Sequence, residues 1–160
     1  MSIAEYFLYK DPERIVFTKN LVEKNGRKFY EGNARLNKYL HLSQNVYIAK
    51  TRQKLFEDDL YAYTNGAVAL NVLDNYSILW GRNNLPEITP EIANFLDKIY
   101  MILQNASTDE LIDISHEDSE WINKCHGYTK ESQRMDSLSH ALEYQSQYED
   151  IVELMEHINI

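Results

Sequence analysis

Between Ala34 and Arg52 the chain runs without a glycine or proline, and Leu36, Tyr39, Leu40, Ser43, Val46 and Tyr47 recur at three- and four-residue spacing. Residues at that interval share one face of a helix with 3.6 residues per turn. The stretch therefore reads as a core-facing helix, and whatever else the chain forms must cover its apolar stripe. Five glycines and three prolines in 160 residues leave little room for long linkers, and the apolar fraction of 44% is enough for a packed interior without disulfide staples.

Other elements follow from local chemistry. Ser2 to Leu8 reads as a short amphipathic helix ended by Asp11-Pro12, because the residue before a proline is pushed out of the helical region. From Arg14 to Asn33, turn signals at Asn25-Gly26 and Gly32-Asn33 flank apolar pairs, which fits either a loose hairpin or a short helix and loop. Tyr61, Tyr63 and Gly66 suggest a short extended piece and a turn, leading into a helix from about Ala67 to Tyr76. Thr89-Pro90-Glu91 is a helix start, with a capping hydroxyl, proline at the first helical position and an acid in the first turn. Behind it Ile92, Phe95, Leu96, Ile99, Ile102 and Leu103 form an apolar stripe. Ser107 to Glu110 matches a capping box and opens another helix. Leu138, Leu142, Gln145, Tyr148, Val152, Met155 and Ile158 lie at helical spacing and predict an amphipathic helix to end the chain.

Charge narrows the choice of partners. The net charge is −9, and residues 105–160 carry 13 acids against 3 bases, so the acidity belongs to the C-terminal third. Nucleic-acid binding rests on a basic face that neutralises phosphates, which makes the chain as a whole a poor candidate for it. A local basic patch at Lys19, Lys24, Arg27, Lys28, Arg35 and Lys38 keeps a DNA-binding regulator as the alternative; the commoner reading is ordinary surface or a site for an acidic protein. No run of about 18 apolar residues predicts a membrane span, and no secretory leader is expected at the N-terminus. A lone Cys125 in a chain without a disulfide framework fits a reducing compartment, so the expected location is the cytoplasm.

Nothing in the sequence assembles a catalytic centre. His41, His116, His126, His140 and His157 lack metal-ligand spacing, and Cys125-His126 on a regular helix would point about 100° apart. Cys125 has no nucleophile motif around it, and the glycines are too dispersed to cradle a phosphate. The acid pairs Asp58-Asp59 and Glu149-Asp150 read as caps and solvated surface. No metal and no cofactor is expected. Tyr61, Tyr63, Trp80 and Trp121 read either as core or as contact aromatics.

Three blocks, in order, resemble the Panacea domain, the SocA-like antitoxin family also found among phage-associated proteins of mobile elements. In LNKYLHLSQ, Leu36, Lys38, Leu40 and Gln44 match the family pattern, with Tyr39, His41 and Ser43 as substitutions. In LFEDDLYAYTNGAV, Phe56, Asp58, Ala62, Gly66 and Val68 agree, while Tyr63 replaces a Trp, Asn65 an aromatic and Ala67 a Pro. In ISHEDSEW, His116 and Trp121 keep their spacing, with Ser115 for Thr, Asp118 for Glu and Glu120 for Pro.

The resemblance implies a mainly α, compact multi-helix domain with a small extended or hairpin element. It divides the chain into an N-terminal helix and variable insert (1–35), a family-like core (36–128) and an acidic C-terminal helix (129–160), all one domain. It also implies a non-enzymatic antitoxin that neutralises a cognate toxin, directly or as an adaptor for a cellular protease. Tyr61, Tyr63 and Trp121 are the candidate partner-binding residues. Within the third block, His116 is expected to fix a helix start and Trp121 to pack against it.

Overall fold

The computed structural model describes residues 1–158 of the 160. Helix α1 (Ser2–Tyr9) leads to a hairpin of β1 (Leu21–Lys24) and β2 (Arg27–Tyr30), and then to the long helix α2 (Glu31–Thr51). A second hairpin, β3 (Tyr61–Tyr63) and β4 (Gly66–Val68), precedes α3 (Leu70–Asp74), α4 (Tyr76–Trp80), α5 (Pro90–Leu103) and α6 (Thr108–Ser115). The chain continues through α7 (Ser119–Lys124), α8 (Lys130–Gln133), a 3-10 turn (Ser137–His140), α9 (Ala141–Gln147) and α10 (Glu149–Glu156). The fold is mainly α with two small antiparallel hairpins. No helix among the described residues is long and apolar enough to cross a membrane.

Helix α2 is the axis of the molecule. It touches α1, α3, α5, α6, α9, α10, β2, β4 and the 3-10 turn, so nearly every side of it is covered. Its apolar face packs as expected: Tyr39 receives Phe7 and Phe17 edge-on, with ring centroids 5.3 and 5.0 Å away. Its polar residues are buried too, among them Asn37, Lys38, His41, Ser43, Gln44 and Asn45.

Before α2, the chain is steered by polar side chains that replace missing regular structure. The Asp11 carboxylate accepts the backbone amides of Ile15, Val16 and Phe17 at 3.0, 3.0 and 2.8 Å, which bends the segment after α1. Of the two readings open for residues 14–33, the hairpin is the one that forms. Asn25 and Gly26 take φ of 53° and 75°, the pair of left-handed residues that a tight two-residue hairpin turn requires. Gly32-Asn33 is not a turn: both residues lie in the first turn of α2. A Cβ on Gly32 would run into the Tyr76 hydroxyl and the Thr18 backbone, so the glycine serves close packing of the helix start.

Two expected helices are corrected. Ala67 and Val68 are strand residues, paired with Ala62 and Tyr61, and the helix expected from Ala67 to Tyr76 is replaced by β4 followed by the short α3 and α4. The cause lies on α2, where Asn37 Oδ1 accepts the Ala69 amide at 2.9 Å and holds the end of β4 extended. The expected C-terminal amphipathic helix is divided among the 3-10 turn, α9 and α10, with Tyr148 between the two helices at φ −106° and ψ 15°. Burying Tyr144, Tyr148 and Met155 together takes precedence over one continuous stripe, and Leu138 and Leu142 are left exposed. The helix starts of α5 and α6 form as read: Thr89 caps α5 with Pro90 at its first position, and Ser107 and Glu110 complete a reciprocal capping box.

Gln44 shows how α2 organises its surroundings. Its carbonyl oxygen accepts the Leu55 amide at 2.7 Å and its amide donates to the Phe56 carbonyl at 2.9 Å, sewing the chain after α2 back onto the helix. Gln44→Ala leaves those backbone groups unpaired and is expected to cost about 2–4 kcal/mol. Urea unfolding with an unchanged slope and a lower midpoint checks this; a loss below about 0.5 kcal/mol would show that the loop is held by other means.

Candidate functional site

Around α2 the residues of all three sequence blocks are brought together. Leu36, Leu40, Phe56, Ala62 and Val68 are core residues, and Asp58 lies half-buried after the loop that Gln44 holds. Lys38, Gly66, His116, Tyr63 and Trp121 meet where α2, the β3–β4 hairpin and the α6–α7 junction converge. The His116 ring stacks on Trp121 at 4.0 Å between centroids and 10° between planes. Trp121 Nε1 donates to the Tyr63 carbonyl at 2.8 Å, tying α7 to the hairpin. His116 ends α6 and Asp118 caps α7, its carboxylate accepting the Glu120 amide at 2.9 Å. The helix start expected to depend on His116 therefore depends on Asp118, because a carboxylate accepts the free amides of a first turn.

Asp118 is also the centre of a buried polar network. Besides its cap bond it accepts from His41 Nε2 at 2.6 Å, Asn45 Nδ2 at 2.8 Å and the Tyr144 hydroxyl at 2.7 Å. Asn45 Nδ2 further donates to the Tyr148 hydroxyl at 3.1 Å. Burial alone would push the carboxyl up, but its hydrogen bonds to His41, Tyr144 and Asn45 overcome this and hold it down at about 2. Burial and the neighbouring Asp118 charge push the Tyr144 and Tyr148 hydroxyls above their ordinary value, keeping both neutral, Tyr144 as a donor to Asp118 and Tyr148 as an acceptor from Asn45. Beside this network Glu120 accepts the Asp136 amide and contacts His140 Nε2, while Ser119 Oγ lies 2.8 Å from His140 Nδ1. The arrangement joins α2, α7, the 3-10 turn and α9.

Lys38 is different. It is 1% exposed, yet among the described residues its ammonium has neither a hydrogen-bond partner nor a carboxylate partner. Burial lowers its pKa to about 8, with no nearby acid to offset the effect. The room for its head group comes from Gly66, at φ +120°: a Cβ there would sit 2.6 Å from Lys38 Cε and 2.9 Å from Nζ. Desolvation first, then the Lys38 charge, lowers the pKa of His116, whose Nε2 is buried without a partner. Lys38 lines a cavity of about 450 Å³ that opens between β2, the start of α2 and the β3–β4 turn.

The expected basic patch is not a surface stripe. Arg35 and Lys38 are buried, and Arg35 donates to the Ala106 carbonyl at 2.8 Å. Lys24 pairs with Asp109 at 2.9 Å, and Lys19 stands 4.7 Å over the Trp80 ring. Cys125 Sγ contacts the Ile122 carbonyl at 3.4 Å, and His126 is exposed. Among the described residues no three His, Cys, Asp or Glu side chains are placed to share a metal ion. Tyr61 and Tyr63 are half-buried on β3, and Trp121 is half-buried on α7 beside it.

The family model "Antitoxin SocA-like, Panacea domain" matches residues 36–122. The chain belongs to this family. No curated protein and no solved structure gives a significant match. The matched part of this Panacea domain runs from α2 to α7, and thus contains Lys38, Gly66, His116, Asp118 and Trp121. It leaves out α1, the first hairpin and α8 to α10, although Tyr144 and Tyr148 from α9 and its end complete the Asp118 network.

The burial of Lys38, His41 and Gln44, and the parts played by Asn37 and Asn45, are not given by the single apolar stripe from Leu36 to Tyr47. Leu42, Ile48 and Ala49 lie off that stripe and carry the missing signal, because apolar residues on more than one face of a helix need cover on more than one side. The Lys38 environment predicts its own pH dependence. Below pH 8 both folded and unfolded chains hold the proton, and the folded state bears the full cost of a buried charge, about 3 kcal/mol. Between about 8 and 10.5 the unfolded chain holds more protons, so stability rises with pH. Lys38→Met is expected to be more stable by about 3 kcal/mol at pH 7 and to lose that rise, as read by urea unfolding across this range. A destabilised variant would show that the ammonium is paired.

Proposed function

We propose that this Panacea domain is a non-enzymatic antitoxin that neutralises a partner toxin protein, by direct contact or by presenting it to a cellular protease. Membership in the SocA-like antitoxin family is the observation that carries this reading. The contact face we assign is formed by β3, α7 and α8, which pack together and carry the half-buried Tyr61, Tyr63 and Trp121. Ile122 on α7 is 52% exposed and Tyr128 beyond it fully so, and we assign their apolar surface to the contact as well. Aromatic residues with one apolar body and one polar edge are the usual anchors of protein contacts. The burial of Arg35 and Lys38 weighs against the alternative of a DNA-binding regulator that uses the basic residues from Lys19 to Lys38.

The test is co-expression of the tagged chain with the product of the adjacent gene, scoring growth and co-purification. Rescue of growth with a stoichiometric complex is expected. Ile122→Asp combined with Tyr128→Asp replaces two exposed side chains and is expected to weaken that complex at least about 10-fold with an unchanged circular dichroism spectrum. A neighbour that is toxic but neither bound nor neutralised would contradict the antitoxin reading, and full affinity in the double variant would move the contact face elsewhere.

A further inference from the structure

The cavity beside Lys38 has a charge character opposite to that of the chain. Its lining includes Arg27, Lys28 and Lys38 and no Asp or Glu, in a protein of net charge −9. Arg27 and Lys28 are exposed at the end of the first hairpin, whereas Lys38 is buried, so the basic groups are arranged from rim to interior. Between them Phe29, Val68 and Leu73 supply apolar wall. A volume of about 450 Å³ falls in the range that small-molecule sites occupy.

Four other polar residues along α2 make bonds that hold the fold, while the Ser43 hydroxyl is buried without a partner among the described residues. Asn37 holds Ala69, Gln44 holds Leu55 and Phe56, and His41 and Asn45 hold Asp118. Lys38 holds nothing among the described residues, and a buried ammonium without a counter-charge is costly. Gly66 nonetheless leaves the space that the Lys38 head group fills.

We propose that this cavity is a binding site for a monocarboxylate on an apolar stem, with the carboxylate on the Lys38 ammonium and the stem along Phe29, Val68 and Leu73. One buried ammonium neutralises one negative charge; a dianionic phosphate would bring a second into the interior without compensation. Phosphate sites are also built from guanidinium forks or clustered backbone amides, whereas one point charge against an apolar wall suits a carboxylate. Arg27 and Lys28 at the rim attract the anion before it enters. The same chemistry is offered by a free straight-chain acid and by the C-terminal carboxylate of a protein chain ending in apolar residues.

Titrations of the full chain followed by amide NMR at Gly66 and Val68 test this with hexanoate, hexanamide, inorganic phosphate, and an acetylated apolar hexapeptide with a free or an amidated C-terminus. Saturable shifts are expected with hexanoate or the free-acid peptide, at least about 10-fold weaker with the matching amide and in Lys38→Met. Tighter binding of hexanoate assigns a free acid as ligand, and tighter binding of the free-acid peptide assigns a chain terminus. Arg27→Gln with Lys28→Gln, both at exposed positions, is expected to weaken binding about 3-fold without changing the amide spectrum elsewhere. No saturable shift with either acid, equal binding of acid and amide, tighter binding of phosphate, or full binding by a folded Lys38→Met variant would each overturn the proposal.

Discussion

A helix covered on nearly every side carries its polar side chains into the interior along with its apolar ones, and there each donor and acceptor must find a partner or cost free energy. Helix α2 is in that position, and the layout of the surrounding elements answers to it. Asn37 fixes where β4 ends and α3 begins, Gln44 fixes the return of the chain after α2, and His41 with Asn45 fixes α7 and α9 through Asp118. The apolar residues of α2 supply the bulk of the driving force by leaving water. Its polar residues decide which backbone segment lies where, because a hydrogen bond has a direction and apolar contact has none.

Asp118 gathers the largest share of these constraints. A single carboxylate caps α7 and receives side chains from α2 and α9, so that three helices distant in sequence share one buried charge. Its partners donate, which keeps it ionised despite burial. The region matched by the family model supplies the carboxylate, His41 and Asn45, while Tyr144 comes from outside the match. The C-terminal helices are thus fastened to the family core by hydrogen bonds as well as by the packing of Tyr148 and Met155.

How much of this was legible in the sequence depends on whether the cause was local. The capping box at Ser107 and Glu110, the Thr89-Pro90 start and the helix through Leu36 and Tyr47 are fixed by neighbours three or four positions away, and each forms as read. The fate of Ala67 was not readable locally, since it is decided by strand pairing and by Asn37 holding the adjacent Ala69 amide from another element. The division of the C-terminal helix follows from the need to bury Tyr144 and Tyr148 against α2, which no periodicity reports. Lys38 stood in both the basic patch and the family pattern, and the sequence did not show whether it faced water or the interior. The answer lies in Gly66, whose missing side chain is the space that Lys38 occupies.

The site depends on Lys38 being a buried amine beside the cavity with no ion-pair partner among the described residues. The Lys38 side chain can be titrated directly by NMR in protein labelled at the lysine Cε, with Lys38→Met identifying the resonance. A midpoint near 8 is expected. A midpoint at or above the ordinary value of about 10.5 would contradict that expectation, and would mean that Lys38 is solvated or held by an acid.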